Sequence, residues 1–130
     1  MRRLVPLAVG LLCLTACLGQ READAHEAVR RAAEEYYACL VDGDVDGYLK
    51  GIRDYEAMPE EYRSQLRDMF AQYLHQEQTL RGGLAAARAL RDTLIDSTLA
   101  QVFLEVEFGD STREQVSLPL VLTEKGWRMK

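Results

Sequence analysis

The sequence predicts an α+β domain in which N-terminal helices pack on an antiparallel sheet of about four strands. Two observations carry this. Apolar residues recur at spacings of three and four as far as Leu80, the spacing of one helix face. From Val102 onward they alternate with polar residues, and the breaks between runs are only a few residues long, so neighbouring strands must turn back on each other. The 130 residues suffice for one domain and not two. At 48% hydrophobic and 28% charged, the chain belongs with globular rather than disordered proteins.

Met1, Arg2 and Arg3 give a cationic start, and Leu4 to Leu14 is an apolar run broken only by Pro6 and Gly10, the layout of a secretory signal. The run is too short to span a bilayer, which takes about 20 apolar residues; polar residues begin at Gln20. It ends in Leu14-Thr15-Ala16-Cys17, which resembles the lipobox of bacterial lipoproteins: an aliphatic residue, two small residues and an obligatory cysteine. The resemblance implies that residues 1–16 are a signal peptide and that Cys17 is the site of lipid attachment. Its thiol would form a thioether with a diacylglyceryl group, and its freed amine could take a third acyl chain such as palmitate. Two or three chains hold a protein firmly where one binds reversibly. The expected location is therefore the bacterial cell envelope, outside the cytoplasm. Leu18 is not the aspartate that retains lipoproteins in the inner membrane of enteric bacteria, so an outer-membrane destination stays open. The alternative is an ordinary cleaved signal in which a cysteine happens to stand at position 17.

Without the first 16 residues, 114 remain, with 14 basic side chains (16 less Arg2 and Arg3) against all 21 acidic ones, a net charge of −7. Nucleic acid is not the expected partner, because phosphate binding needs clustered Lys and Arg. Of three cysteines, Cys13 would leave with the signal and Cys17 would be alkylated, so Cys39 has no partner for an internal disulfide. It shares an apolar stripe with Val29, Ala32 and Tyr36, which argues for a core position rather than a reactive thiol. Were Cys17 unlipidated, a bridge between Cys17 and Cys39 would become available.

Leu18 to Asp24 reads as a short polar tether, making residues 17–24 the lipidated cysteine and its leash. The first helix is expected from about Ala25 to Leu40, with Asp24 as N-cap and Glu27 as capping-box partner. Gly43 interrupts it. A second helix is expected from Val45 to Arg53, capped by Asp44. Pro59, followed by Glu60 and Glu61, opens a third helix carrying Tyr62, Leu66, Met69, Phe70, Tyr73 and Leu80, which ends at Gly82-Gly83. Leu84 to Arg91 is rich in Ala, Leu and Arg and would be helical on propensity alone. Val102 to Phe108 and Val116 to Leu122 are strands, separated by the turn Gly109-Asp110-Ser111, with Pro119 marking an edge or bulge. Glu124-Lys125-Gly126 makes another turn before a short strand with Trp127 and Met129 on its inner face.

Four features in this order resemble the nuclear transport factor 2-like superfamily: Tyr36-Tyr37 near the end of the first helix, Asp42-Gly43-Asp44 before the second, Gly82-Gly83 before the sheet, and Lys125-Gly126-Trp127-Arg128-Met129 at the end. More narrowly, the chain resembles the small lipoproteins of that superfamily, over residues 25–130. The resemblance implies a cone of helices against a curved antiparallel sheet, and that Leu84 to Ile95 is a strand despite its alanines. It also implies a ligand cavity or sheet face, with homodimerisation through the sheet as one arrangement.

Asp42, Asp44, Asp46 and Gly47 match the start of a calcium loop, but Arg53 stands where its bidentate Glu is required. No metal or other cofactor is expected. His75 lies in a polar stretch and His26 near the tether. Tyr36, Tyr48, Asp54, Tyr55 and Tyr73 are the candidate ligand-binding residues, with Asp54 and Tyr55 near the mouth of a cone; no catalytic residue stands out. The expected function is that of a membrane-anchored envelope lipoprotein with a noncatalytic domain binding a small apolar ligand or another envelope protein. A ligand pocket without converging titratable groups, or an exposed patch around Phe103 and Val121, would fit it. The alternative is a small lyase or isomerase that uses an acid and a tyrosine across a cavity.

Overall fold

A computed structural model describes residues 6–130, with side chains from residue 19 onward. The leader's apolar side chains and the Cys17 thiol lie outside the described residues. The elements are α1 (Pro6–Val41), α2 (Val45–Leu49), a 3-10 turn (Tyr55–Ala57), α3 (Glu60–Arg81), β1 (Leu84–Leu94), β2 (Leu99–Phe108), β3 (Arg113–Thr123) and β4 (Gly126–Met129). The four strands form one antiparallel meander in chain order. Among the described residues no helix is long and apolar enough to cross a membrane.

The core lies between the inner face of the sheet and α1. Ala100, Val102, Leu104, Val106 and Phe108 alternate inward along β2, and Leu118, Leu120 and Met129 continue that face across β3 and β4. Val29, Ala33 and Leu40 of α1 share one cluster with Ala100, Val102, Leu104, Leu118, Leu120 and Met129. α1 does not begin at Ala25. Residues 18–24 are helical, because nothing after Pro6 breaks the chain except single glycines, and Asp24 sits inside the helix, where its carboxylate accepts from the Gln20 amide at 3.0 Å. Asp44 does cap α2, accepting the Gly47 N–H at 2.9 Å. α2 stops at Leu49 rather than Arg53, because the next residues pair with β4. α3 starts and ends as expected, with Pro59 ahead of its first turn and Gly82 left-handed at φ 78° behind its last.

The alanine-rich segment is a strand, and its packing explains why. Ala87 and Ala89 oppose Val106 and Leu104, and α1 packs on β1, where a small side chain permits close approach. The register then shifts between Ala89 and Arg91. The Ala89 N–H at this bulge donates to the Glu34 carboxylate of α1 at 3.0 Å, and the extra residue reverses the alternation beyond it. Asp92 and Leu94, opposite Val102 and Ala100, therefore face inward. The Asp92 carboxylate is only 5% exposed and meets His26 Nδ1 at 2.5 Å and Arg30 Nε at 3.3 Å, both on α1.

The exposed apolar patch expected around Phe103 and Val121 is absent. The Arg91 guanidinium lies 4.2 Å above the Phe103 ring, and Val121 is buried between its cross-strand neighbours Leu99 and Arg128. Arg88, Glu105, Arg113 and Glu107 form a charged ladder beside them.

Candidate functional site

After α2 the chain is drawn onto β4. The Gly51 and Ile52 N–H groups bond back to Tyr48 and Leu49. Arg53 N–H then donates to the Met129 carbonyl and Met129 N–H to the Gly51 carbonyl, both at 2.8 Å, with Ile52 pairing parallel to Met129. Asp54 turns the chain away at a left-handed φ of 60°, a conformation that Asp tolerates better than most residues. Opposite stands the β3–β4 turn. The Thr123 hydroxyl donates to the Gly126 carbonyl at 2.9 Å and accepts the Lys125 N–H at 3.1 Å.

Between loop and turn lies a half-open cleft of about 570 Å³. Lys50, Ile52, Arg53, Asp54, Tyr55, Glu56 and Ala57 line one side, and Thr123, Glu124, Lys125 and Arg128 the other. Four cations stand there against three acids, a local positive excess on a chain of net charge −5. Arg53 is 3.7 Å from the exposed Asp54 carboxylate. Arg128 is held from behind: its guanidinium donates to the Tyr36 hydroxyl at 3.0 Å and to the Trp127 carbonyl at 3.2 Å, and the Tyr36 hydroxyl donates to that same carbonyl.

This support needs a glycine at position 51. A Cβ there would lie 2.4 Å from the Tyr36 ring. Gly51→Ala is expected to displace Tyr36 and loosen Arg128, at about 1–3 kcal/mol of stability. A denaturant titration measures it, and an unchanged midpoint would show that the Tyr36 ring is not confined.

Of the residues singled out in the sequence, Asp54 and Tyr55 line the cleft. Tyr36 stands behind it through Arg128. Tyr48 and Tyr73 lie elsewhere. Tyr48 is buried, edge-on to Tyr37 at 6.0 Å and tilted on Phe70 at 4.9 Å between ring centroids. Burial pushes the Tyr37 and Tyr48 phenols up, and Tyr73 is pushed up as well, so all three stay protonated near neutral pH. Lys50, Arg53, Lys125 and Arg128 were not foreseen as a group; the only hint is that Lys125 and Arg128 flank the Gly-Trp of the final strand.

The acid and phenol in the cleft do not converge. Asp54 is exposed at the rim, while Tyr55 is buried and its hydroxyl faces Arg67 at 3.4 Å. Among the described residues the core cluster consists of apolar side chains and tyrosines. Asp92, though turned inward, is occupied by His26 and Arg30. No group of three or more His, Cys, Asp or Glu that could hold a metal is found among the described residues. Cys39 is half-buried against the core, and burial first, then Asp44 and Asp42, pushes its thiol up, away from the thiolate that a nucleophile requires.

No protein-family model matches the chain, and no curated protein matches it. Among solved structures it is similar to a Campylobacter jejuni protein provisionally named an NTF2-like transpeptidase. The TM-score is 0.59 at 18% identity, over 75% of this chain and 92% of that one. The fold is thus NTF2-like: helices packed on a four-stranded antiparallel sheet.

Proposed function

We propose that the protein is a membrane-anchored envelope lipoprotein whose NTF2-like domain binds a small ligand at the mouth of the cone without transforming it. The observation that carries the binding reading is the contrast between a cone packed with apolar side chains and a cleft at its mouth where Lys50, Arg53, Lys125 and Arg128 outnumber the acids Asp54, Glu56 and Glu124 by one. A ligand with an apolar part and at least one anionic group suits that lining, the former against Ile52 and the latter near Arg128. The support for anchoring is the Leu14-Thr15-Ala16-Cys17 pattern behind a short cationic and apolar leader.

The neighbour's name does not extend to this chain. Acyl transfer needs an activated nucleophile beside a base. The cleft's one hydroxyl outside its tyrosine, that of Thr123, is committed to the β3–β4 turn.

Trp127, the single tryptophan, does not line the cleft but precedes Arg128 in β4 and accepts a hydrogen bond from the Arg128 guanidinium on its carbonyl, so it serves as an indirect probe of Arg128. Titration with octanoate, a phosphate monoester and a neutral dipeptide blocked at both ends should change its fluorescence for the anionic probes alone, and Arg128→Ala should weaken that response at least tenfold. Equal response to the neutral dipeptide, or an unaltered response in the variant, sinks the cleft assignment. For the anchor, mass spectrometry of native protein should find Cys17 first in the chain and acylated, and Cys17→Ala should move the protein from the membrane to the soluble fraction.

A further inference from the structure

α3 carries an apolar line that its own domain leaves uncovered. None of its residues is buried; it leans on the body through Leu66, Phe70 and Leu74. Beside that contact, Tyr62, Met69, Tyr73 and Leu80 are 50%, 54%, 36% and 75% exposed. Their spacings of seven, four and seven keep them within about 40° of one line on a helix of 3.6 residues per turn, over about 27 Å.

The order of spacings is the same read in either direction. Two α3 helices packed antiparallel about a two-fold axis level with Ala71 would set each Tyr62 against the other copy's Leu80 and each Met69 against the other's Tyr73. That reciprocity is what an isologous interface demands. The helix dipoles agree with it, since antiparallel pairing opposes them; the end charges of α3 are satisfied within the chain, Glu60 by Arg63 and Arg67 and Arg81 by Glu77 and Glu114. The flank of the line away from the body carries Gln65, Gln72 and Gln76, which bring no like charges together. The outer sheet face, by contrast, offers a charged ladder.

We infer that the exposed line on α3 is the docking surface for a second copy of this chain, paired antiparallel. A strip about 27 Å long and about 11 Å wide covers about 300 Å² per copy, against the roughly 800 Å² of a stable interface. The dimer is therefore weak, and its detection calls for protein at tens to hundreds of micromolar.

The register gives a specific test. Sedimentation of the full chain in density-matched detergent, from about 1 to 300 µM, should show mass rising from one chain towards two. Tyr62→Glu or Leu80→Lys alone should weaken association at least tenfold, and the circular dichroism should not change, because both side chains are exposed. The double variant should recover association, since each introduced carboxylate then meets an introduced ammonium across the axis. A monomer at every concentration, single variants that associate like the parent, or a double variant no better than the singles would each overturn the inference. So would binding of α3 to anionic vesicles by a chain that never pairs.

Discussion

Phe108→Ala is expected to lower the free energy of unfolding by about 3–5 kcal/mol, and Phe108→Leu by about 1 kcal/mol. Phe108 ends β2 and is among the largest fully buried side chains. Above its ring, 4.3 Å away, lies the Arg81 guanidinium, itself fixed by Glu77 at 3.2 Å and Glu114 at 3.0 Å. The backbone closes the same corner: Gly109 N–H donates to the Gly83 carbonyl and Asp110 N–H to the Arg81 carbonyl, both at 2.8 Å. Removing the ring leaves a void that these tethers cannot collapse, and it strips Arg81 of a partner in one step. Leucine refills most of the volume, losing the contact between cation and ring. Total stability for a domain of this size is about 5–15 kcal/mol, so the alanine variant loses a large share of it. Urea titrations of both variants measure the difference. A loss below about 1.5 kcal/mol for alanine would mean that the corner repacks and that Phe108 does not tie α3 to the sheet.

What could be read from the sequence was local. Pro59, Gly82-Gly83 and Asp44 act through their own backbone preferences or nearest neighbours, so the limits of α3 and the start of α2 were legible. The alternation of β2 was legible because one face is continuously apolar. Asp54 and Tyr55 followed from their place after the second helix. The remainder of the cleft was not legible, because Lys50 and Arg53 meet Lys125 and Arg128 only through the parallel pairing of Ile52 with Met129, which no local pattern announces. The extent of α1 is not legible, because a polar stretch has the composition of a tether while its residues favour helix well enough to continue one. The burial of Val121 is not legible either, because an outward-facing residue can still be covered by the stem of a neighbouring arginine, here Arg128 across the strand pair.

Asp92 shows how a single inserted residue hides a contact. Strict alternation from Ala87 and Ala89 would send Asp92 to the solvent side, and nothing in Ala89-Leu90-Arg91-Asp92 marks a bulge. Turned inward, it is 5% exposed, whereas His26 and Arg30 are 34% and 44% exposed. The two sides of this cluster therefore respond unequally to mutation. With both partners deleted, a carboxylate stays on the apolar face with neither of them, so His26→Ala/Arg30→Ala is expected to cost about 2–4 kcal/mol. Replacing the carboxylate instead with a side chain of similar size and no charge leaves an imidazole and a guanidinium that can turn into water. Asp92→Leu is thus expected to stay within about 1 kcal/mol of the parent, and the triple variant to recover most of what the double loses. Thermal and urea unfolding of the four proteins complete the cycle. Should Asp92→Leu prove as damaging as the double variant, the cluster would be a net source of stability joining α1 to β1, rather than a buried charge compensated by its neighbours.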